Sequence, residues 1–278
     1  MNQIDLKGRV AVITGGAQGI GYAVAERMLN SGAEVVLWDI DAARLAEAEN
    51  ALAKLGRLGK VTTSIVELTM AADIDAATAD AARAHGRIDI LVNNAGALWW
   101  MPVADTPMKR FDLVMGVNAR ASFACTQACM PHMLTSGGGH VIVYSPPIDL
   151  KALPNKVAYC ISKFGMTMLA MGLAQEMQGK PFSINAIWPV TAVESYATIN
   201  FQLGGPAFWR KPAILADATL AIVSKPPGAI TGQALFDEDV LRAEGVTDFV
   251  PYRCDPNSEP PRIGIDGIPQ VGLAPPRA

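Results

Sequence analysis

Short runs of β-branched and apolar residues alternate with amphipathic helical segments through most of the chain, and this alternation limits the possible folds more than any other feature. The runs predict strands near 9–14, 34–38, 61–66, 89–92, 140–144, 182–187 and 231–236. Strands separated by helices join as right-handed βαβ units and form a parallel sheet covered on both faces. We therefore predict an α/β fold with a single Rossmann-type, doubly wound parallel sheet of about seven strands.

Length and composition favour one large domain. The 278 residues can bury one full core but are few for two independent domains, so we assign residues 1–250 to a single unit. Within it, a segment at about 190–212 is rich in Thr, Ser, Gly, Pro and aromatic residues, and we interpret it as a loop over a functional site. Prolines recur after residue 250, which predicts an extended tail over 251–278.

Charge, cysteine usage and apolar run length argue against several classes of function. The net charge is -3 and no basic stripe is visible, so we expect no nucleic-acid partner. Four cysteines form no CxxC pair and three histidines form no cluster, so we predict neither a metal site nor a disulfide framework. The apolar runs are too short for a membrane span and the first residues resemble no secretory signal, so we expect a cytoplasmic protein.

A glycine-rich string spans residues 14–21, directly after the first predicted strand and at the start of a predicted helix. Glycines let the backbone turn tightly and approach a pyrophosphate, whose charge the amides of the helix N-terminus then meet. We therefore predict a dinucleotide site; the alternative is a simple turn. The predicted contact residues are Gly15, Gln18, Gly19, Ile20 and Gly21.

Asp39 ends the second predicted strand and bears on the choice of cofactor. A carboxylate at this place accepts hydrogen bonds from the adenosine ribose hydroxyls and repels a 2′-phosphate. Gln18 brings no positive charge for such a phosphate. Both residues favour NAD over NADP, although Asp39 can also be read as a solvated charge at a strand end.

Tyr159 and Lys163 lie four residues apart in a predicted helix, so their side chains share one face. A free tyrosine titrates near 10, and a nearby positive charge lowers its pKa. The pair therefore has the chemistry of a general acid/base for hydride transfer, whereas a surface helix pair is the alternative. Asn118 lies in an apolar stripe of the helix predicted over 107–130, and a buried amide needs partners. We interpret it as a group that caps or bends the helix, or that holds water in a proton path to Lys163.

These motifs together resemble the short-chain dehydrogenase/reductase family over about residues 5–237. The glycine-rich string is similar to the cofactor loop of that family, and residues 93–96 (Asn-Asn-Ala-Gly) are similar to its strand-four motif. The resemblance implies catalytic roles for Asn118, Tyr159 and Lys163, with Lys163 also binding the nicotinamide ribose. It further implies that the adenosine half of the cofactor lies beside three more residues, namely Glu67, Leu68 and Asn94. The family usually has Asp or Asn where this chain has Glu67.

The chain departs from the family pattern at two places. Pro146 stands where the family has its catalytic serine, so we predict that Ser145 replaces that serine; the alternative is that Ser145 merely ends the strand. Pro189 and Val190 stand where the family has Pro-Gly, so the backbone on the nicotinamide side is expected to run differently. From residue 140 onward the chain resembles the hydroxysteroid-dehydrogenase-like subgroup.

The sequence thus predicts an NAD-dependent short-chain alcohol dehydrogenase or carbonyl reductase. Aromatic and apolar residues around the expected site favour an apolar substrate: Leu98, Trp99, Trp100, Met101, Trp188, Phe208 and Trp209. The alternative for these residues is the core or a subunit interface. A second hypothesis, motivated by Pro146, is a dinucleotide-binding protein with little turnover that acts as a sensor or subunit partner. The family resemblance also implies a homotetramer or dimer.

Overall fold

A seven-stranded parallel sheet forms the centre of the protein. The computed structural model describes residues 4–55, 59–150 and 153–263. Its strands are β1 (Val10–Thr14), β2 (Glu34–Asp39), β3 (Val61–Ile65), β4 (Ile90–Asn93), β5 (Gly139–Tyr144), β6 (Phe182–Trp188), β7 (Ala192–Val193), β8 (Trp209–Arg210) and β9 (Ala234–Phe236). The sheet has the order β3-β2-β1-β4-β5-β6-β9, and every pairing in it is parallel. The predicted doubly wound sheet is confirmed.

Helices cover both faces of this sheet. They are α1 (Gly19–Asn30), α2 (Ala42–Ala53), α3 (Ala71–His85), α4 (Met108–Val114), α5 (Ala121–Thr135), α6 (Val157–Glu176), α7 (Tyr196–Asn200), α8 (Ala213–Val223) and α9 (Asp237–Ala243). One hydrophobic core packs α1, α2, α8 and α9 against one face, and a second packs α3, α5 and α6 against the other. Successive residues of β1 enter opposite cores, because side chains alternate across a strand. This two-sided burial explains why the strands read as continuous apolar runs.

The strand order reverses between β1 and β4, and this reversal locates the expected ligand crevice. In a doubly wound sheet, the loops after the two strands at such a point diverge to opposite faces and leave a cleft at their carboxyl ends. The residues that follow β1 and β4 are the glycine-rich string and the 93–96 motif. The fold therefore brings the two motifs together at one edge.

The segment at 190–212 contains more regular structure than its composition predicts. It holds β7, α7 and β8, and β7 pairs with β8 in a separate two-stranded sheet. Ser195 and Thr198 form a capping box at the start of α7. Two of the polar residues of this segment thus begin a short helix.

The first part of the predicted tail packs on the domain. Arg253 and Arg262 form antiparallel bridges with Arg210 and Thr191, respectively. The remainder of the predicted tail, 264–278, lies outside the described residues.

Among the described residues, one helix is long and apolar enough to cross a membrane. It is α6, with 20 residues and a mean hydropathy of 1.4. Core helices of globular proteins pass the same test, and α6 packs against β6, so this single helix is weak evidence for a span.

Candidate active site

The glycine-rich loop between β1 and α1 depends on three glycines. Gly15 and Gly19 have φ values of 61° and 56°, a left-handed conformation that favours glycine. A Cβ on Gly15 would lie 3.0 Å from the Cα of Ala95, and one on Gly21 would lie 2.1 Å from the carbonyl oxygen of Gly15. Any side chain at these two positions would force the loop away from the strand end.

The N-terminus of α1 has the features of an anion-binding site. Gln18 precedes the helix in an extended conformation, and its side chain makes no capping hydrogen bond to the first turn. The first N–H groups of a helix have no intrahelical partner, and the helix dipole adds partial positive charge there. With glycines at 15, 19 and 21, the backbone can approach a pyrophosphate closely. The loop thus fits the phosphates of a dinucleotide.

Asn94 ties the ends of β1 and β4 together. Its Nδ2 donates to the carbonyl oxygens of Thr14 and Gly15, at 2.9 and 3.0 Å. Thr14 Oγ1 in turn accepts from the backbone N–H groups of Asn94 and Ala95, both at 3.0 Å. The amide therefore shapes the glycine-rich loop, and its contact with the ribose remains a prediction.

The structure brings a cation, Arg44, close to the end of β2, and this residue was not among the predicted site residues. Asp39 Oδ2 accepts from the N–H of Ala17 at 3.3 Å. The Arg44 guanidinium binds the Gln18 side chain, and its Nε lies 3.1 Å from Asp41 Oδ2. The end of β2, where the adenosine ribose is predicted to bind, therefore carries both signs of charge. The sequence contains a signal for this cation, because Arg44 lies in the first turn of α2, three residues after the N-cap residue Asp41.

Glu67 and Leu68 lie just after β3, and each has partners within the protein. Glu67 Oε1 accepts from the N–H and hydroxyl of Thr69 at 3.0 and 2.8 Å. Leu68 is buried and belongs to the second hydrophobic core. Their predicted contact with the adenine remains a prediction.

Lys163 is buried at the carboxyl edge of the sheet. It points from α6 to the end of β5, where its Nζ donates to the carbonyl oxygen of Tyr144 at 2.9 Å. Burial lowers the pKa of Lys163 to about 8, because the charged ammonium loses hydration. The lysine is thus poised to change charge much nearer to neutral pH than an exposed one.

Tyr159 lies one turn before Lys163 on α6. Burial raises the pKa of its phenol above the ordinary value, and the neighbouring Cys160 adds to the effect. The sequence predicts that the charge of Lys163 lowers the pKa of Tyr159, but in the structure desolvation is the dominant effect and raises it.

Asn118 lies in a π-helical segment, Met115–Arg120, between α4 and α5. It is fully buried; its Oδ1 accepts from the N–H of Ala97 at 2.8 Å, and its Nδ2 donates to the Ala97 carbonyl and to Ser162 Oγ, both at 2.9 Å. The π-helical turn thus points the amide at the chain that follows β4. These groups supply the hydrogen-bond partners that a buried amide needs.

Ser145 follows β5 and is also buried. Its hydroxyl is hydrogen-bonded to that of Thr167 at 2.7 Å. Thr167 lies eight residues after Tyr159 on α6, a rise of about 12 Å along the helix axis. The end of β5 is therefore fastened to α6 at two places, by Tyr144 to Lys163 and by Ser145 to Thr167.

Aromatic residues surround the tyrosine only in part. Trp100 packs edge-on against Tyr159, with ring centroids 6.1 Å apart, and Lys156 Nζ lies 4.5 Å from the centroid of the same indole. Trp188 instead packs against Phe236. Trp209 is buried and donates to the Leu203 carbonyl, so it stabilises its own segment.

Within the described part of the chain, no group of three or more His, Cys, Asp or Glu side chains is arranged to hold a metal ion. Cys125 and Cys129 are buried, and burial raises the pKa of both thiols. They are apolar packing groups of the second core.

A family model described as short chain dehydrogenase matches residues 9–199. This chain belongs to the short-chain dehydrogenase family. It is therefore an oxidoreductase of a family that binds nicotinamide dinucleotides. The Danio rerio hydroxysteroid dehydrogenase-like protein 2 is 37% identical to it over 284 residues, covering 97% of this chain and 66% of the relative. This match confirms the resemblance to the hydroxysteroid-dehydrogenase-like subgroup, although the chain spans just under two thirds of the relative.

Solved structures of the family agree with the fold. A short chain dehydrogenase from Mycobacterium thermoresistibile is 35% identical, with a TM-score of 0.86, and the match covers 98% of this chain and all of the other. A metagenomic short-chain oxidoreductase in complex with NADP is 27% identical, with a TM-score of 0.71, over 83% of this chain and 97% of the other. The shared architecture thus includes a member that binds the phosphorylated cofactor.

Proposed function

We propose that this short-chain dehydrogenase transfers hydride between NAD and an apolar alcohol or carbonyl substrate, with Tyr159 as acid/base. The observation that carries the proposal is the position of Lys163, whose Nζ reaches the carbonyl oxygen at the end of β5. This contact lies at the same sheet edge as the glycine-rich loop, since both follow carboxyl ends of parallel strands. A proton-transfer pair beside a dinucleotide loop is the arrangement that hydride transfer needs.

The glycine-rich loop and the first turn of α1 would hold the pyrophosphate, and Asp39 the adenosine ribose. A bound nicotinamide supplies or accepts the hydride. Lys163 would hold the nicotinamide ribose through its ammonium, as the family resemblance implies. Lys163 lies one turn after Tyr159 on α6, and its burial shields this charge from solvent.

Tyr159 moves the proton. In reduction, its phenol gives a proton to the substrate oxygen as hydride reaches the carbonyl carbon, which yields the alcohol and a phenolate. In oxidation, the phenolate takes the hydroxyl proton while the carbon loses hydride. Lys163 favours the phenolate at that moment by its positive charge. Asn118 fixes the backbone at Ala97 next to this pair.

NAD is the proposed cofactor because Asp39 is the last residue of β2, where its carboxylate would repel a 2′-phosphate. A specific observation favours a second candidate, NADP: the guanidinium of Arg44 binds Gln18, which begins the phosphate-binding turn. Its pairing with Asp41 reduces the charge that it offers to a phosphate. For this reason NAD remains the first choice.

An apolar substrate is proposed from Trp100, which packs on the ring of Tyr159. A screen of alcohols and ketones of graded polarity with NAD or NADH, followed at the nicotinamide absorbance, tests the proposal. Oxidation of medium-chain or terpenoid alcohols supports it. Turnover of small sugars or hydroxy acids alone contradicts an apolar pocket. NADH binding without turnover of any compound favours the sensor or subunit-partner hypothesis, which Pro146 motivates.

We also propose a cytoplasmic homodimer or homotetramer. Helices α5 and α6 expose several apolar side chains that a second copy would cover: Phe123, Ile161, Met168 and Met171. Large apolar groups this exposed on adjacent helices are typical of interaction surfaces. Light scattering coupled to gel filtration measures the assembly, and a Phe123→Asp variant should shift it toward the monomer.

A further inference from the structure

Asp237 holds the backbone that follows β6. It lies at the junction of β9 and α9 and is completely buried. Its Oδ1 accepts from the N–H of Val190 at 3.0 Å and from the N–H of Glu238 at 2.8 Å. Neither the sequence motifs nor the proposed acid/base pair accounts for a buried carboxyl at this place.

The next residue, Glu238, binds two other segments, β8 and the C-terminal segment. Its carboxylate pairs with Arg210 of β8, both side chains being nearly inaccessible, and accepts from Arg262 Nη1 at 2.7 Å. The backbone N–H of Ile263 also bonds to the carbonyl oxygen of Val190. Val190 is therefore held from both sides, through its N–H by Asp237 and through its carbonyl by the C-terminal segment.

The held backbone lies beside the reacting end of the proposed site. Ile187 of β6 is the parallel partner of Tyr144 of β5, the residue whose carbonyl accepts from Lys163. Val190 follows Ile187 by three residues and so lies just beyond this strand end. A dinucleotide lies across the carboxyl ends of the strands. With its adenosine near the end of β2, its nicotinamide must extend over β4, β5 and β6.

We propose that Asp237 is a positioning residue, which fixes the backbone N–H of Val190 and thereby shapes the surface that receives the nicotinamide half of the cofactor. This inference rests on the proposed function. It predicts different effects on the two halves of the cofactor. Loss of Asp237 should weaken binding of the nicotinamide half. Binding of the adenosine half should not change, because its proposed site lies more than two strands away in the sheet.

The charge of Asp237 is set by a defined group of neighbours. Burial raises its pKa to about 6, while the two backbone hydrogen bonds and Arg210 lower it and Glu238 raises it. Arg262 and Arg242 face Glu238 from the C-terminal segment and from α9. An ionised carboxylate accepts a hydrogen bond more strongly than a neutral acid. The hydrogen bond from the Val190 N–H to Asp237 should therefore strengthen as the pH rises through about 6.

Binding of NADH and of ADP-ribose, which lacks the nicotinamide, tests the proposal by calorimetry without any substrate. Asp237→Ala should weaken NADH binding about tenfold and change ADP-ribose binding by less than about twofold. Asp237→Asn keeps an oxygen that can accept from Val190, and it should restore most of the NADH affinity at pH 7. Equal loss of both ligands in Asp237→Ala, or no loss of NADH, overturns the inference.

A second measurement covers the case in which Asp237→Ala does not fold. The ratio of NADH to ADP-ribose affinity in the wild-type protein should rise between pH 5 and pH 7, and in Asp237→Asn it should stay flat. Identical curves for the two proteins overturn the inference. If the wild-type protein binds neither NADH nor ADP-ribose, the proposed function fails at its first step, and this result is distinct from binding that is insensitive to position 237.

Discussion

Asn118 and Lys163 face each other across Gly96. A Cβ built on Gly96 would lie 3.3 Å from Asn118 Oδ1 and 3.3 Å from Lys163 Nζ. The two side chains come from different elements, the π-helical segment and α6, and both are buried. The absence of a side chain at position 96 therefore lets the end of β4 approach both groups.

Gly96→Ala should lower kcat by about tenfold, because the new methyl group would displace Asn118 Oδ1 and Lys163 Nζ by a few tenths of an ångström from their present positions. Gly172→Ala is the matched control: Gly172 lies in α6 and a Cβ there meets no atom within 4 Å. That variant should keep full activity and gain stability of about 0.5 to 1 kcal/mol. Steady-state kinetics and thermal unfolding measure both effects. Normal kcat in Gly96→Ala would contradict a tight fit around this glycine.

Tyr159→Phe should lower kcat by about 10² to 10⁴ and leave NADH binding nearly unchanged, because only the proton-transfer hydroxyl is lost. Lys163→Ala should reduce both turnover and NADH affinity, since its ammonium is proposed to serve both. Lys156→Ala, which removes the cation over the Trp100 ring, is a control for the loss of a nearby positive charge. Stopped-flow turnover and NADH titration separate the two effects, and unchanged turnover in Tyr159→Phe would rule out the mechanism.

Wild-type protein should have a higher kcat/KM with NAD than with NADP. Asp39→Ala should shift this ratio toward NADP by about tenfold or more, because the repulsion of a 2′-phosphate is removed. Adding Arg44→Gln should reverse part of that shift, since the substitution removes the guanidinium that binds Gln18 at the loop. Kinetics of the three proteins with both cofactors decide the matter. An Asp39→Ala variant that retains its full preference for NAD contradicts the role of the carboxylate.

Ser145→Ala tests whether this chain has a substitute for the family serine. When Thr167 donates to Ser145, the Ser145 hydroxyl keeps its own hydrogen for a substrate oxygen. In that case Ser145→Ala should lower kcat about a hundredfold at unchanged stability. Thr167→Val, which leaves the serine but removes its partner, should have a smaller effect. Near-normal kcat in Ser145→Ala would leave Tyr159, Lys163 and Asn118 as the whole catalytic set.

The stability of the wild-type protein should depend on the proton of Asp237. Burial raises the pKa of this carboxyl from 3.8 to about 6, so between these values the folded protein keeps a proton that the unfolded chain releases. The contribution of this group to stability is therefore lost as pH rises through that window, by up to about 3 kcal/mol. Asp237→Asn does not titrate, so its free energy of unfolding relative to wild type should rise from pH 4 to pH 7. Parallel urea-unfolding profiles of the two proteins would contradict this pKa.

Local sequence patterns were sufficient for the fold and for much of the candidate site. A strand such as Val10–Thr14 is buried on both faces, so its composition alone indicates a central strand of a parallel sheet. Gly15 and Gly19 adopt positive φ values that other residues rarely reach, so their spacing after a strand already indicates the turn. Tyr159 and Lys163 belong to one helix, and the helical repeat brings them together without reference to any other segment.

Contacts between distant segments were decided only by the tertiary structure. Arg44 reaches Gln18 across 26 residues, and Asp237 reaches Val190 across 47. The partner of Ser145, Thr167, was equally hidden, and the desolvation that raises the pKa of Tyr159 depends on what packs around it. Each of these contacts follows from the order of the strands and the packing of helices on them. A local pattern predicts that a strand forms, but the neighbours of that strand depend on the free energy of the whole packed core.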